Sequence, residues 1–414
     1  MHVLIAGAGI GGLTTALMLH ARGIPCTIRE SSREMREVGV GINILPHAIR
    51  ELDELGLLDA LDRVAVRTTH LHYYTRAGQE VWSEPRGMLA GHDVPQFSIH
   101  RGRLQKVLYD AVIARLGSGA VECGRRLAGF VQDEGGVTAQ FLDSGEGGPA
   151  QVLRGDVLIC ADGIHSAGRR HFYPDEGPPS WNGVSMWRGA SVAPPWRDGT
   201  VMAIGGGLGG KLVLYPIAPP EPDGRQLMNW VVNIRTKDPA VSPPPPDSWS
   251  RKVPLATVLP HARRFSVPDY DIQALVRATS EIFEYPMADR DPLPRWSFGR
   301  VTLLGDAAHP MYPVGSNGAS QAVLDARSLA DALKTQPHPR AALWVYETDR
   351  RPKTADIVVQ NRKGGPEGVI DAVEKLAPAG FDDIDSVLSY ADREALVKGY
   401  AAMAGFSLVR RTGG

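Results

Sequence analysis

Apolar runs and helical spacing alternate along the first thirty residues. A mostly apolar run over His2 to Ala6 is typical of a buried parallel strand, because both faces of such a strand are covered. Apolar residues at helical spacing follow over Leu13 to Arg22, and Gly23 ends this helix. Cys26 to Arg29 then predicts a second strand. The order strand, turn, helix, strand indicates the first unit of a doubly wound α/β fold.

The turn between the first strand and the helix carries glycine at a characteristic spacing. Gly7, Gly9 and Gly12 form the pattern G-x-G-x-x-G. The first glycine allows a tight turn, the second lets the backbone approach a pyrophosphate, and the third lets helix and strand pack closely. Free N–H groups and the helix dipole favour an anion there. Glu30, 18 residues after Gly12, is placed to accept hydrogen bonds from a ribose, so a dinucleotide site is predicted.

The glycine spacing alone is weak evidence, since Gly205, Gly207 and Gly210 satisfy it as well. The residues that follow, 211–217, have strand character and no helical spacing. We therefore interpret this second match as a glycine-rich connection between two strands.

Two later strands also end in an acidic residue. The apolar run 157–161 leads to Asp162 and Gly163, and the run 300–305 leads to Asp306. A glycine-rich turn around Gly315 then precedes a predicted helix. Because parallel strands of one sheet bind ligands at their carboxyl edge, these segments are predicted to converge on one polar molecule.

The chain between 178 and 285 has a different character. Prolines are dense, tryptophans recur, and strand-like runs dominate, which predicts a mostly antiparallel sheet inserted into the nucleotide-binding fold. The run Pro243 to Pro246 is predicted to be a surface loop. Helices over 340–361 and roughly 368–375 are predicted to wrap the outside, with a loosely packed tail through residue 414.

Composition excludes several classes of function. The formal net charge is −1 and long single-sign runs are absent, which argues against nucleic-acid binding. The three cysteines have neither metal-ligand nor disulfide spacing, so no metal site is predicted. No targeting segment is visible and no run reaches the roughly 18 apolar residues of a membrane span, so a cytoplasmic protein is expected.

Three blocks together resemble the single-component (group A) flavin aromatic hydroxylases of the para-hydroxybenzoate hydroxylase superfamily. They are GAGIGG with Glu30, the Asp162-Gly163-x-x-Ser166-x-x-Arg169 block, and Gly305-Asp306-Ala307-Ala308-His309-Pro310. Further stretches resemble the phenazine-modifying branch of that family: GVGINILP, VWSEPRG, SIHRG, MWRG, YPMADRDPLPRW and MYPVGSNGASQAVLD. The likeness covers about residues 1 to 355.

The resemblance implies FAD as bound cofactor and assigns it a set of residues. Arg101 and Gln105, four apart at the start of a predicted helix, could reach one ligand together. Gly41 and Ile42 would lie on one side of the flavin ring, opposite the turn at residues 315–318. The implied cofactor-binding residues are Gly7, Gly9, Gly12, Glu30, Gly41, Ile42, Arg101, Gln105, Asp162, Asp306, Gly315, Asn317 and Gly318.

The resemblance also implies an NAD(P)H-consuming monooxygenase, in which a flavin C4a-hydroperoxide delivers oxygen from O₂ to a small aromatic or heteroaromatic substrate. Candidate catalytic residues are Pro313, Gly315 and His309, although a structural role for His309 in its turn is the stronger interpretation. Candidate substrate residues are Trp187, Arg188, Tyr215 and Tyr312, with ordinary sheet packing left open for the aromatic ones. An NAD-linked Rossmann dehydrogenase and a non-catalytic flavin- or ligand-binding protein remain as alternatives.

The expected architecture is a Rossmann-like FAD-binding domain with an inserted antiparallel substrate domain and C-terminal helices. The FAD-binding domain is predicted to be discontinuous, over 1–70, 98–177 and 290–355. The substrate domain is predicted at 71–97 and 178–289, and a C-terminal helical segment at 356–414. A monomer or homodimer is expected.

Overall fold

The computed structural model describes residues 1–37, 39–145, 148–236 and 251–405. The strands in these ranges are β1 (Val3–Ala6), β2 (Cys26–Arg29), β3 (Gly41–Ile44), β4 (Ala65–Arg67), β5 (His70–Tyr74), β6 (Glu80–Pro85), β7 (Phe97–His100), β8 (Val121–Glu122), β9 (Arg125–Gln132), β10 (Val137–Asp143), β11 (Gln151–Gly155), β12 (Val157–Cys160), β13 (Ser180–Ala193), β14 (Val201–Gly205), β15 (Gly210–Pro216), β16 (Gln226–Arg235), β17 (Arg251–Val253), β18 (Ile282–Asp289), β19 (Ser297–Phe298) and β20 (Val301–Leu303). The α-helices in the same ranges are α1 (Ile10–Ala21), α2 (Pro46–Glu54), α3 (Leu58–Asp62), α4 (Arg101–Leu116), α5 (Ala167–Phe172), α6 (Leu255–Ala262), α7 (Ile272–Arg277), α8 (Gly318–Thr335), α9 (Pro339–Arg362), α10 (Gly368–Leu376), α11 (Ile384–Val387) and α12 (Tyr390–Met403). The predicted loop at Pro243 to Pro246 and the tail from residue 406 lie outside the described residues.

A six-stranded sheet is built from the apolar runs, in the order β19-β20-β12-β1-β2-β8. β1 pairs in parallel with β12 on one side and with β2 on the other, and every residue of β1 and β12 is buried. β20 extends the parallel set beside β12, and β19 is an antiparallel edge strand. The carboxyl ends of β1, β12 and β20 therefore lie side by side at one edge.

Helices cover this sheet and supply most of its core. α1 packs against α4 and α8, and α8 also packs against α9. Their buried residues join those of the sheet in one large hydrophobic cluster. Both faces of the sheet are covered, which explains why its central strands have no polar positions.

An eight-stranded sheet forms the second layer, in the order β17-β18-β13-β16-β15-β14-β5-β6. Its neighbours pair antiparallel except for β14 and β5, which run parallel. The glycine-rich segment between β14 and β15 is a strand connection, as predicted. The predicted fold class, an α/β nucleotide-binding fold with a mostly antiparallel insertion, is confirmed.

The C-terminal helices pack against the edge of this second sheet. Val369 and Val373 of α10 and Val397 of α12 are buried in one cluster with residues of β5 and β6. Arg393 donates a hydrogen bond of 2.8 Å to the carbonyl of Val81 in β6. The expectation of loose packing is therefore wrong for the described part of this segment. In the described residues, no helix is both long and apolar enough to cross a membrane.

Candidate active site

A cavity of about 380 Å³ lies between the carboxyl edge of the six-stranded sheet and one face of the eight-stranded sheet. One side comes from five loops and the other from β5, β13, β14, β15 and β16. Residues that line the loop side fall within 9–11, 41–45, 161–163, 304–306 and 311–319. The three strand ends that the sequence predicted to converge thus border one space.

Each glycine of the first turn has a different environment. Gly7 adopts φ +104°, and a Cβ there would lie 2.3 Å from the carbonyl oxygen of Ala161. A Cβ on Gly12 would lie 2.0 Å from the carbonyl oxygen of Gly7, so this position brings α1 against the turn. A Cβ on Gly9 would meet nothing within 4 Å, and Gly9 lines the cavity. The backbone at Gly9 is therefore open to a ligand.

Glu30 and Gln105 hold the same turn from both sides. The N–H of Ala8 donates to Glu30 Oε2 at 2.7 Å, and Gln105 Nε2 donates to the Ala8 carbonyl at 2.8 Å. Glu30 Oε1 accepts from the N–H of Ser32 at 2.7 Å. Neither side chain lines the main cavity, whereas Arg101, at the start of α4, does.

Two carboxylates mark the ends of the other strands. Asp162 Oδ2 accepts from the N–H of Ala167 at 2.7 Å, while its Oδ1 is buried without a hydrogen-bond partner. Burial raises the pKa of Asp162, and the hydrogen bonds from Ser166 and the backbone, which lower the pKa, offset only part of this effect. Asp306 lines the cavity, and its side chain is exposed there. The surrounding protein nevertheless raises its pKa by desolvation, while the positive charges of His309 and Arg101 lower the pKa by less.

The loop at Gly41 is fixed between the two sheets. Asn229 Oδ1 accepts from its N–H at 2.8 Å, and Arg188 donates to its carbonyl at 2.7 Å. A Cβ on Gly41 would lie 2.6–2.7 Å from Ile217, Asn229 and Tyr215, so glycine alone fits. Leu45, at the end of the same loop, donates its N–H to Ser320 Oγ of α8 at 3.1 Å.

The turn before α8 lies across the cavity from that loop. Gly315 adopts φ +63°, and a Cβ there would lie 2.4 Å from the ring of Tyr400. Asn317 donates to the Tyr400 hydroxyl at 2.8 Å and to the Gly315 carbonyl at 3.1 Å. α8 begins at Gly318 without a capping side chain, so its first N–H groups are available to the cavity. Pro313, Gly315, Asn317 and Gly318 all line the cavity.

The chain matches the family model described as "FAD binding domain" over residues 1–210 and 261–361. The chain belongs to this FAD-binding family. It is 44% identical over 363 residues to the phenazine 1,6-dicarboxylic acid hydroxylase PhzS of Lysobacter antibioticus, covering 87% of this chain and 89% of that protein. It is 32% identical over 366 residues to the 3-amino-4-hydroxybenzoate 2-monooxygenase of Streptomyces cremeus, covering 86% and 85%.

Solved structures share the fold of this FAD-binding family. Klebsiella pneumoniae HpxO, complexed with FAD and uric acid, superposes with a TM-score of 0.73 at 24% identity, covering 98% of this chain and 95% of that one. Together the family match and the sequence relatives identify an FAD-dependent, NAD(P)H-consuming monooxygenase that hydroxylates a small aromatic compound. They favour this function over the NAD-linked dehydrogenase that the glycine pattern left open.

The residues of the first turn and its neighbours fit FAD. Gly9 leaves room for the pyrophosphate, and α1 starts with neither a capping side chain nor an acidic residue in its first turn. The carboxylate of Asp306 lines the cavity and can accept from a ligand there, and Ala161 and Gly163, on either side of Asp162, line it as well. The glycine turn is thus suited to an anion, and the carboxylate of Asp306 is suited to a hydroxyl group.

Two predicted site residues lie elsewhere. The prediction that Trp187 lines the substrate pocket is wrong, because its ring stacks on His261 with centroids 4.8 Å apart, in the core on the other face of the sheet. His309, for which a structural role was the stronger interpretation, is not among the residues that line the cavity. His309 Nε2 hydrogen-bonds Asp325 Oδ2 at 2.5 Å, and its ring lies beside Trp296, which makes it part of the core.

Three further charged residues line the cavity and were missed by sequence reasoning. They are Arg86, Lys211 and Glu367. Lys211 lies on the same strand face as Tyr215, so the period of two along β15 could have indicated it. Arg86 lies in the stretch VWSEPRG, whose likeness to the family could have indicated it, whereas Glu367 reaches the cavity through non-local packing that leaves no signal in the sequence.

Proposed function

We propose that this monooxygenase hydroxylates an aromatic carboxylate of the phenazine type, and that Arg188 binds the carboxylate. The observation that supports this proposal is the state of the Arg188 side chain. It lines the cavity, its Nε is buried without a hydrogen-bond partner, and no carboxylate of the described residues lies within ion-pair distance. Arg188 is half-buried, so its cation is partly removed from water without a counter-charge, and a substrate carboxylate would supply one.

The rest of the sheet side suits a planar ring system. Val213, Ile204, Met202 and Val231 present apolar side chains to the cavity from neighbouring strands. Tyr215, whose pKa is raised by burial, lies beside Arg188. A flat apolar wall with few polar groups is typical of sites for small aromatic ligands. The relative that is 44% identical is named for phenazine 1,6-dicarboxylic acid, which supports an aromatic carboxylate of the phenazine type.

The chain contributes positioning and charge stabilisation. When bound, FAD supplies the redox and oxygen-activating chemistry. We propose that Gly7, Gly9, Gly12 and Glu30 form its pyrophosphate and ribose site, and that Arg101, Gln105, Asp162 and Asp306 hold the remaining polar part. Gly41 and Ile42 would face one side of the ring. Pro313, Gly315, Asn317 and Gly318 would face the other, with backbone N–H groups placed to stabilise negative charge. Tyr312 would complete the substrate wall.

The test is substrate-stimulated NAD(P)H oxidation by the yellow holoenzyme, with mass analysis of the product. We expect phenazine-1-carboxylate to accelerate flavin reduction and to yield a product in which a hydroxyl group has been introduced. If the pure protein retains FAD and no aromatic carboxylate accelerates its reduction, the proposed substrate class is wrong.

The Arg188→Ala variant tests the assigned residue. Loss of a charge-assisted hydrogen bond of about 2 kcal/mol should raise KM for phenazine-1-carboxylate roughly thirtyfold, and KM for unsubstituted phenazine much less. Arg225→Ala, which removes an arginine from the exposed β15–β16 connection, is the matched control. Equal effects of Arg188→Ala on both compounds would remove Arg188 from the carboxylate site.

We also propose O₂ as the second substrate and a monomer or homodimer as the working form. A cytoplasmic location stays a prediction, and so do the domain boundaries given above.

A further inference from the structure

Lys211 and Glu367 form a buried ion pair on the wall of the cavity. Lys211 projects from β15, and Glu367 lies just before α10. Their side chains are 6% and 8% exposed, and Lys211 Nζ donates to Glu367 Oε2. Both residues line the cavity itself, so the pair presents its charges to whatever the cavity holds.

The pair lies at one end of the apolar wall. Tyr215, Val213 and Lys211 alternate along one face of β15, and Tyr215 lies at the Gly41 end. Four residues of extended strand place the Cα of Lys211 about 13 Å from that of Tyr215. Asn233 pairs with Lys211 across the strands, and its Oδ1 is buried without a partner. This far end therefore offers acceptors as well as a neutralised cation.

On the sheet side of the cavity, two of the three described cationic side chains have a carboxylate partner. Arg86 is paired with Glu84, and Lys211 is paired with Glu367. Among the described residues on this side of the cavity, Arg188 is the cation without a carboxylate partner. One substrate carboxylate would balance it, and a second would add an uncompensated charge in a buried space.

We propose that the Lys211–Glu367 pair determines specificity, by restricting this pocket to aromatic substrates that carry one carboxylate. The inference rests on the proposed function, since it assigns Arg188 to that carboxylate. A second carboxylate at the far end meets the negative charge of Glu367 and a lysine already neutralised. A hydroxyl or ring N–H there donates to Glu367 or to Asn233. The pair thus disfavours dicarboxylates, because the second carboxylate would face the negative charge of Glu367.

Phenazine-1-carboxylate and phenazine-1,6-dicarboxylate are matched probes, because they share the ring system and differ by one carboxylate. Their dissociation constants are measured from the change in flavin absorbance of the oxidised holoenzyme. For the native enzyme, we expect the dicarboxylate to bind at least about tenfold more weakly than the monocarboxylate.

Three variants vary the charge at the far end. Glu367→Gln leaves Lys211 unpaired and should lower the ratio of the two dissociation constants, dicarboxylate over monocarboxylate, by about tenfold. Lys211→Met leaves Glu367 unpaired and should raise the ratio. The double variant removes both charges, including the negative charge of Glu367, and should give a ratio below the native value and above that of Glu367→Gln. A merely structural role would change affinity for both probes alike and would not produce this order.

Removing one partner of a buried pair destabilises the fold, so FAD content and thermal midpoint are measured for every variant. If one single variant fails to fold, the other single variant and the double variant still give predicted directions of change for the ratio. Tighter binding of the dicarboxylate by the native enzyme would overturn the inference, and so would a ratio unchanged across the folded variants.

Failure of the proposed function has a different signature. If neither phenazine shows measurable binding but salicylate stimulates NAD(P)H oxidation, the inference is overturned and carboxylate hydroxylation stands. If no aromatic carboxylate stimulates oxidation, the proposed function itself fails.

Discussion

At the scale of single residues, the two strand-end carboxylates show how burial prepares a site for hydroxyl donors. Asp306 lines the cavity, and Asp162 has one oxygen without a partner. Burial raises the pKa of both, so each gains from a hydrogen-bond donor that stabilises its charged form. A polyhydroxylated chain such as the ribityl part of FAD offers such donors.

The Asp306→Ala variant should fold and bind FAD at least about tenfold more weakly, because one hydrogen bond to a charged group is lost. The measurement is the FAD-to-protein ratio after gel filtration, followed by titration of the apoprotein. Asp175→Ala, at an exposed position, is the control. Undiminished FAD retention by Asp306→Ala would count against its assignment.

Trp187 and Arg188 are neighbours in β13, and Trp187 lies in a hydrophobic core whereas Arg188 lines the cavity. Neighbouring residues of a strand point to opposite faces, so both could not line one pocket. The period of two along β13 therefore separates Trp187 from Arg188, whatever the aromatic character of Trp187. Its stacking on His261 makes it part of the core of the second layer.

Trp187→Phe should therefore lower the thermal midpoint, because a buried side chain loses volume and contacts. KM for an aromatic carboxylate should change less than twofold. Both quantities are measured on the holoenzyme, beside Arg188→Ala, which should show the reverse pattern. A large increase in KM for Trp187→Phe at an unchanged midpoint would return Trp187 to the pocket.

At the scale of elements, the sequence was sufficient for the parts that local pattern controls. The strands that end before Gly7, Asp162 and Asp306 are apolar runs followed by turn residues, and they lie side by side as expected. The eight-stranded sheet was predicted as antiparallel, whereas its order and the pairing of β5 with β14 were not. Strand order depends on contacts between distant segments, which leave no periodic signal in either strand.

The same limit explains the missing polar residues. Glu367 reaches Lys211 across 156 residues of chain, and Asp325 binds His309 from inside α8. Glu367 belongs to none of the motifs, and Asp325 ends the stretch MYPVGSNGASQAVLD without any sign of its contact with His309. The resemblance to known hydroxylases weakened beyond residue 355, where Glu367 and Tyr400 lie.

The glycine turn gives a paired prediction for one element. Gly9→Ala should fold and lose affinity for FAD, because the new methyl group projects into open space that the cofactor approaches. Gly12→Ala should reduce the yield of folded protein, because its methyl group would lie 2.0 Å from a backbone oxygen. Soluble yield, circular dichroism and FAD content separate the two outcomes. If both variants lose folding alike, the open space at Gly9 has no specific part in binding.

At the scale of the whole molecule, the C-terminal helices hold the turn that faces the cavity. The Tyr400 hydroxyl of α12 donates to Asn361 Oδ1 at 2.7 Å and accepts from Asn317 at 2.8 Å. Its ring occupies the space where any side chain at Gly315 would lie. The last described helix is therefore part of the support of the site.

Tyr400→Phe keeps the ring and removes these hydrogen bonds. We expect the variant to retain FAD and to oxidise NAD(P)H with a lower yield of hydroxylated product, because the turn loses part of its fixed position. The readout is the ratio of product formed to NAD(P)H consumed. Tyr390→Phe, at an exposed position on the same helix, is the control. An unchanged ratio would show that the turn keeps its geometry without α12.

The parallel pairing of β5 with β14 has a consequence for biosynthesis. Val201 pairs with His70, which leaves the ribosome 131 residues earlier, so the β5–β6 hairpin keeps an open backbone edge for much of translation. The turn at residues 315–318 emerges later still. FAD can therefore be enclosed only after most of the chain has been synthesised.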